Sequence, residues 1–449
     1  MSKQRIQLSD HFTYSRLLRF VLPCIGTMLF TSIYGIVDGL CVSNFVGKTA
    51  FAAVNLIMPL PMLLGTIGFM LGTGGSAIVG ITLGEGDQKK ADRYFTLFLL
   101  AALISVSVLA VLGIVFLRPI AVLLGAKGEL LDYAVRYGRI LMVSLPTFAL
   151  QNMFQSFFVT AEKPHLGFWF TVGAGCTNMV LDVLMVGIWG WGVEGAAIAT
   201  FISQLVGGVL PVFYFIDRSN SSRLHLCKTS FYSKVLRDAC INGSSELMTN
   251  LSMSLVNILY NYQLLRLAGE NGVAAYGVIM YAAFLFVAVF VGYAVGSAPI
   301  VSFHYGARNH AEVHNLYRKS LRLIAVVAVT LTLASMFIIP CVARIFVGYD
   351  AELLALTSRA FRLFALSFVI MGFNVYASSF FTALGDGVTS ALISFLRTLA
   401  FQVIAILLLP LLLGIDGIWL AVTAAELAAL AVSAAMLFTK DKVFHYRKA

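Results

Sequence analysis

The chain alternates long apolar runs with short polar connections. Twelve runs stand out, near residues 20–42, 52–82, 95–117, 140–160, 167–189, 195–216, 243–264, 273–303, 323–340, 361–383, 388–412 and 417–438. A helix needs about 20 apolar residues to cross the hydrocarbon core of a bilayer, so each run predicts one membrane-spanning α-helix. The first follows Lys3, Arg5, Arg16 and Arg19. It is longer than the roughly 7–15 apolar residues of a signal peptide and has no small-residue cleavage site after it, which makes it an uncleaved first span. The longest polar stretch, Asp217 to Asp238, falls almost at the middle of the chain. Residues 1–216 are therefore read as an N-terminal lobe of six spans, 217–240 as a linker, and 241–449 as a C-terminal lobe of six spans.

The two halves repeat at an offset of 222. Gly47/Gly269, Ala52/Ala274, Ala53/Ala275, Ile57/Ile279, Met58/Met280, Leu63/Leu285, Gly74/Gly296, Ile78/Ile300, Val79/Val301 and Gly84/Gly306 are identical without a gap, and the register returns at Gly192/Gly414, Gly195/Gly417 and Ala199/Ala421. An even number of spans per unit gives both halves the same orientation, so a pseudo-two-fold axis along the membrane normal relates them. The expected fold is an all-α membrane protein of twelve transmembrane helices in two six-helix lobes, with a cavity between them.

Composition agrees with the pattern. Of 449 residues, 59% are hydrophobic and 12% charged, where soluble proteins carry about 25% charged residues. A water-soluble protein is excluded. The net charge of +10 sits between apolar segments, where it sets orientation rather than attracting nucleic acid. With the N-terminus placed inside, 21 of the 31 Lys and Arg fall in inner segments, 9 in outer ones, and Arg397 in a span. Both termini are thus expected in the cytoplasm of a cell inner-membrane protein. Cys24, Cys41, Cys176, Cys227, Cys240 and Cys341 show no paired or metal-ligand spacing, so neither a disulfide framework nor a zinc site is expected.

A charged side chain at mid-membrane costs roughly 2.5–3.5 kcal/mol on insertion scales, so each intramembrane acid needs a reason. Asp38 lies deep in the first span and Asp182 mid-way in the fifth. Tyr34 and Asn178 each stand four residues earlier, on the same helix face, and Thr200 adds a hydroxyl from the sixth span. No Lys or Arg sits near mid-membrane in spans one to six, so these acids either lock the bundle through backbone contacts or exchange a proton or metal cation. At the repeat offset Asn178, Asp182 and Thr200 become Ala400, Ile404 and Val422, so the second half lacks the constellation. There the seventh span carries Asn250, Ser254, Asn257 and Asn261 in a polar stripe, read as either interhelical hydrogen bonding or cavity lining. Gln151 and Gln155 form a similar pair in the fourth span. Glu246 and Glu426 are secondary acids, Glu246 being placed near the interface, and Arg397 could pair with Glu426 or with a substrate anion.

Gly72, Gly74 and Ala77 fit a dinucleotide-binding pattern but no strand precedes them, so small-residue helix packing explains them, as it does Gly35/Gly39 and Gly68/Gly72. The seven histidines lack ligand spacing, and no nucleophilic triad, zinc or nucleotide-binding motif is present. Catalysis and ATP hydrolysis are not expected, nor is a cofactor. Energy would then come from an ion gradient.

Over nearly its full length the chain resembles the multidrug and toxic compound extrusion (MATE) transporters of prokaryotic type. The shared features are the twelve spans, the two-lobed repeat, the segment GITLGEGDQKKADRYF with its counterpart HYGARNHAEVHNLY, and the segments TNMVLD and GVEGAAIAT. The resemblance implies a cation- or proton-binding site at Asp38, Asn178, Asp182 and Thr200, with Na+ as the one metal considered, and a hinge at Pro23. It implies export of cationic or amphipathic drugs in exchange for H+ or Na+. Tyr34, Gln151, Gln155, Asn250, Ser254 and Asn257 are candidate cavity residues. Some branches of the family place an acid where this chain has Asn250, with Glu246 one turn earlier, which favours the N-lobe site. The rival reading is a flippase for lipid-linked oligosaccharides, a related fold that lines its cavity with several Arg or Lys for pyrophosphate; here Arg397 alone qualifies. The protein is expected to act as a monomer.

Overall fold

The computed structural model describes residues 6–46, 48–348 and 350–446; Lys3, Arg5 and Gly47 lie outside them. The first span is α1 (Tyr14–Phe45), the second is α2 (Lys48–Ile57) followed by α3 (Pro59–Gly84), the third is α4 (Gln88–Leu123) and the fourth α5 (Gly128–Thr160). The fifth is α6 (Pro164–Asp182) prolonged by a π-helical segment, Val183–Ile188. The sixth is α7 (Gly192–Gln204), a second π-helical segment, Leu205–Val209, and α8 (Leu210–Ile216). Helix α9 (Ser233–Asn242) occupies the end of the linker. Helix α10 (Ser244–Gly306) is 63 residues long, about 95 Å at 1.5 Å per residue, three times the hydrocarbon thickness. It is two spans: Gly269 inside it has φ 60° and ψ −151°, a conformation open to glycine. The ninth span is α11 (His310–Val347), and the tenth is α12 (Ala351–Ala365) with α13 (Phe368–Ala383), bent by 46° between them. The eleventh is α14 (Gly387–Phe395), a third π-helical segment, Leu396–Ala400, and α15 (Phe401–Leu413). Helices α16 (Ile415–Thr439) and α17 (Asp441–Phe444) close the chain. Twelve rods result among the described residues.

Apolar content placed these rods well and their ends less well. The fourth begins at Gly128, not near residue 140, because its first three turns are amphipathic: Asp132, Arg136 and Arg139 are exposed while Ala134, Val135, Tyr137 and Gly138 are buried. The ninth likewise runs from His310 to Val347 rather than over 323–340.

The duplication is visible in the backbone. Gly192 and Gly414, equivalent at the offset of 222, have φ 59° and φ 58° and start the sixth and twelfth spans. The hairpins at the other face are also equivalent. Asp87 accepts from the Lys90 amide at 3.0 Å and caps α4, and Asn309 accepts from the Glu312 amide at 3.1 Å and caps α11, satisfying one orphan donor of each helix start.

The same offset governs how the lobes meet. A Cβ on Gly84 would stand 2.0 Å from the Phe303 carbonyl oxygen, and one on Gly306 would stand 2.1 Å from that of Ile81. These two contacts exchange places at the offset, and between them Gly80 faces its own equivalent, Ser302. The pseudo-two-fold axis therefore passes between α3 and the end of α10, on the face that carries both termini. Gly74 against Gly243 and Gly296 against Val21 repeat the relation one layer further out. In the opposite halves of the first and eighth spans, Gly35 and Gly277 would meet nothing within 4 Å, so Gly35 does not form the helix contact expected of the Gly35/Gly39 pair. The lobes close on each other at the terminal face.

Three segments cover that face. The buried side chains of Leu8 and Phe12 seat the N-terminal segment, whose amides reach one acid in each lobe: Leu8 donates to Glu162 at 2.9 Å and Phe12 to Glu312 at 2.9 Å. The linker lies along α4, with the His225 amide on Asp92 at 3.0 Å, and Arg223 bonds Glu162 at 2.6 Å. At the C-terminus Tyr446 is fully buried against Tyr317 and Phe380. Lys440 pairs with Asp386 at 2.8 Å. Burial alone would push the Asp386 carboxyl up, but hydrogen bonds from Lys440 and Thr389 hold it below its usual range.

A cysteine pair tests the axis. Gly80→Cys with Ser302→Cys places two β-carbons 3.1 Å apart, a few tenths of an ångström under the disulfide range, so a small outward shift lets the bond form and oxidation should join the lobes. With a protease site placed in the linker, the cut halves should stay together until reduced. Halves that separate without reductant would show that the contact does not form.

Candidate functional site

The first, fifth and sixth spans bring one polar cluster together inside the N-terminal lobe. Asp182 is fully buried at the point where α6 passes into the π-helical segment, a widening of the helix that recurs at functional sites. Asn178, one turn earlier, is 2% exposed and its Nδ2 donates to Thr200 Oγ1 at 3.5 Å. Asp38 comes across from α1 to within hydrogen-bonding reach of Asp182. The fourfold spacing that set Asn178 above Asp182 thus does put both on one face, and the other two residues converge on it.

Its chemistry lies in what is left unpaired. Among the described residues Asp38 Oδ1, Asn178 Oδ1 and both carboxylate oxygens of Asp182 are buried without a hydrogen-bond donor. Each is an acceptor. Leaving one buried acceptor unsatisfied costs about 1–3 kcal/mol, and more for a charged group. Four in one place, two carboxylates among them, ask for protons or a cation.

Around the cluster the candidate lining residues divide. Tyr34 packs against Gly175 of α6, within electrostatic reach of Asp38. Gln155 lines a pocket with Cys24, Thr27 and Met28 of α1 and Val295 of α10. Gln151, in contrast, is 8% exposed and lies flat on Gly207 of the sixth span, so the two glutamines are not one pair. Pro23 stands inside the unbroken helix α1, and its carbonyl accepts from Thr27 Oγ1 at 2.9 Å.

Two stretches, residues 23–184 in one lobe and 247–408 in the other, match the sequence profile of the MatE family. The chain belongs to the MatE family. It is a multi-pass membrane protein. The multidrug export protein MepA of Staphylococcus saprophyticus subsp. saprophyticus is 21% identical over 436 residues, covering 96% of this chain and 95% of that one, and MepA of Staphylococcus aureus strain MSSA476 is 21% identical over 433 residues at the same coverage. A crystal structure of MATE in complex with MaL6 superposes with a TM-score of 0.92 at 23% identity, covering both chains fully. So does the outward-facing conformation of a multidrug resistance MATE family transporter of the MOP superfamily, with the same TM-score and identity. The structural likeness establishes the MatE fold.

The C-terminal lobe of this MatE chain is built differently. Asn250 Nδ2 donates to the Glu246 carbonyl at 2.9 Å and Ser254 Oγ to the Asn250 carbonyl at 3.3 Å. Asn250 and Ser254 therefore turn back on their own helix, and among the described residues the stripe makes no interhelical hydrogen bond; Ser254, Asn257 and Asn261 are exposed. Glu426 is 1% exposed and takes Arg397 Nε on Oε1 at 2.8 Å and Asn374 Nδ2 on Oε2 at 2.7 Å. Arg397, open by sequence to Glu426 or a substrate anion, bonds Glu426 through its Nε. Glu246, half-buried, lies within electrostatic reach of Arg397.

Tyr137 was not legible as a site residue. It is 1% exposed on α5, feels both Asp38 and Asp182, and its hydroxyl lies 3.9 Å from Met58 Sδ. Arg136 and Arg139 beside it made the segment read as a loop; the spacing of Ala134, Tyr137 and Leu141 is the signal that places it on a buried helix face.

The ion pair gives a stability prediction. Glu426→Ala leaves a buried guanidinium unpaired and should cost about 3–5 kcal/mol, whereas replacing both Arg397 and Glu426 by Met should cost far less. Thermal melting of the purified proteins in a membrane mimetic reads the difference.

Proposed function

We propose that this MatE chain is a secondary antiporter that exports cationic or amphipathic toxic compounds in exchange for H+ or Na+. The observation that carries the reading is the set of four unpaired acceptor oxygens on Asp38, Asn178 and Asp182. A deprotonated pair of carboxylates holds an organic cation or its counter-cation; arrival of a proton, or of Na+ among hard oxygen ligands, removes that charge. Two ligands that compete for one cluster exchange when each stabilises a different arrangement of the lobes. Membership of the MatE family and the multidrug export relatives, matched over almost their whole length, support the substrate class.

The contact about the pseudo-two-fold axis supplies one end state. With both termini in the cytoplasm, as the Lys and Arg bias implies, the lobes are closed inward, and export requires that the Gly84 and Gly306 contacts part. A lipid-linked pyrophosphate would call for several cations, and Arg397 is already engaged by Glu426. The transporter is proposed to act as a monomer in the cell membrane and without a cofactor.

Ethidium efflux from proteoliposomes under an imposed pH or Na+ gradient tests the proposal and names the ion. Asp38→Asn and Asp182→Asn should each abolish gradient-driven efflux, and Tyr137→Phe should slow it, since the phenol borders both acids. Wild-type protein that moves no organic cation under either gradient would falsify the exporter reading.

A further inference from the structure

At the terminal face, cations from both lobes gather around one aromatic ring. Tyr14, Arg16 and Arg19 lie in the opening turns of α1, in the first lobe, and Lys319 and Arg322 lie in the early turns of α11, in the second. Arg322 Nη1 donates to the Tyr14 hydroxyl at 3.4 Å. Lys319 Nζ stands 5.4 Å from the centre of the Tyr14 ring and donates to the Phe12 carbonyl at 2.6 Å, while Arg16 Nη1 donates to the preceding carbonyl, that of His11, at 3.2 Å.

Among the described residues none of these four cations pairs with a carboxylate. The acids beside them are engaged elsewhere: Asp10 accepts from the Gln7 amide at 3.1 Å, and Glu312 is taken up by His11, the Phe12 amide and Asn315. Arg223, Arg237 and Lys440 on the same face do have acidic partners, in Glu162, Asp238 and Asp386. Orientation in the membrane asks only that basic residues lie on one side. It does not ask that two from each lobe keep free donors at one seam.

Their depth says what they meet. Arg19 stands one residue before the apolar run of the first span, which opens at Phe20, and Arg322 one residue before that of the ninth, which opens at Leu323. That is the level of the lipid headgroups, where tyrosine is also favoured. Arg16, Arg19 and Leu22 share a face of α1 at spacings of three, and Arg322, Val326 and Val329 share a face of α11 at spacings of four and three. All six are exposed, and Leu22, Val326 and Val329 are each more than half exposed. Each lobe thus places free cations at the head of an apolar strip, which matches a molecule with a phosphate above and acyl chains below.

We propose that this seam binds an anionic phospholipid of the leaflet facing the termini. Its phosphate sits among Arg16 and Arg19 of one lobe and Lys319 and Arg322 of the other, and its chains lie along Leu22, Val326 and Val329. The guanidinium forks suit phosphate oxygens in pairs. One lipid then bridges the two lobes on the face where they close. The inference does not depend on what the protein exports.

Native mass spectrometry of the full-length protein, delipidated in detergent and titrated with phosphatidylglycerol or phosphatidylcholine, reads the affinities. The wild type should prefer phosphatidylglycerol. Each basic residue near anionic lipid contributes about fivefold, so Arg16→Gln with Arg322→Gln should weaken phosphatidylglycerol binding about 25-fold and Arg322→Gln alone about fivefold, with phosphatidylcholine unaffected. Arg16→Lys with Arg322→Lys keeps the charge and should retain most of the affinity. Lys228→Gln with Lys234→Gln removes the same charge from exposed positions of the linker and α9 and should leave binding unchanged. Melting temperatures check that each variant is folded. Equal affinity of the wild type for the two lipids, or equal weakening by the two double glutamine variants, overturns the site. Displacement of phosphatidylglycerol by millimolar inorganic phosphate overturns the lipid reading in favour of a soluble anion.

Discussion

Inside a bilayer no water is at hand to satisfy a polar group, and this one constraint orders the molecule. Backbone amides are met within helices, serine and threonine hydroxyls turn back onto carbonyls one turn earlier, as Thr27, Thr66 and Thr171 do, and the Arg397–Glu426 pair neutralises itself with help from Asn374. Other buried polar atoms also lack a partner, Asn374 Oδ1 among them, but Asp38, Asn178 and Asp182 gather four acceptor oxygens in one place. A cluster that the protein does not satisfy is one that something else must.

Duplication supplies the frame on which that exception stands. Equivalent glycines start the sixth and twelfth spans, equivalent caps start α4 and α11, and contacts across the axis come in exchanged pairs. Chemistry then departs from the symmetry. The first lobe concentrates acceptors without a cation, and the second carries acids with a cation built in. Divergence has assigned the two lobes different electrostatic roles on one scaffold.

Much of this could be read in the chain, for physical reasons that also explain the rest. A bilayer forces long apolar runs, so the rods and the repeat show as hydropathy and identity. Helix periodicity puts Asn178 and Asp182 on one face, since four residues make about one turn. It does not say what a face meets: Asn250 and Ser254 share a face and bond their own helix. Nor does apolar content find an amphipathic extension, and Tyr137 was hidden behind two arginines for that reason. The choice of Glu426 by Arg397, 29 residues along the chain, depends on how three spans pack, which no local pattern encodes.

The lobes meet about their axis through backbone and glycine where most protein interfaces use large side chains. Gly84 lies on the Phe303 carbonyl, Gly306 on that of Ile81, and Gly74 on Gly243. Ordering a long side chain on closure costs up to about 1.5–2 kcal/mol in lost rotamer freedom, and glycine has none to lose. A seam of this kind carries little entropic penalty each time it shuts and needs no rotamer search to re-form. Such a seam suits the exchange proposed above, in which the lobes would part and close again at little cost in side-chain entropy.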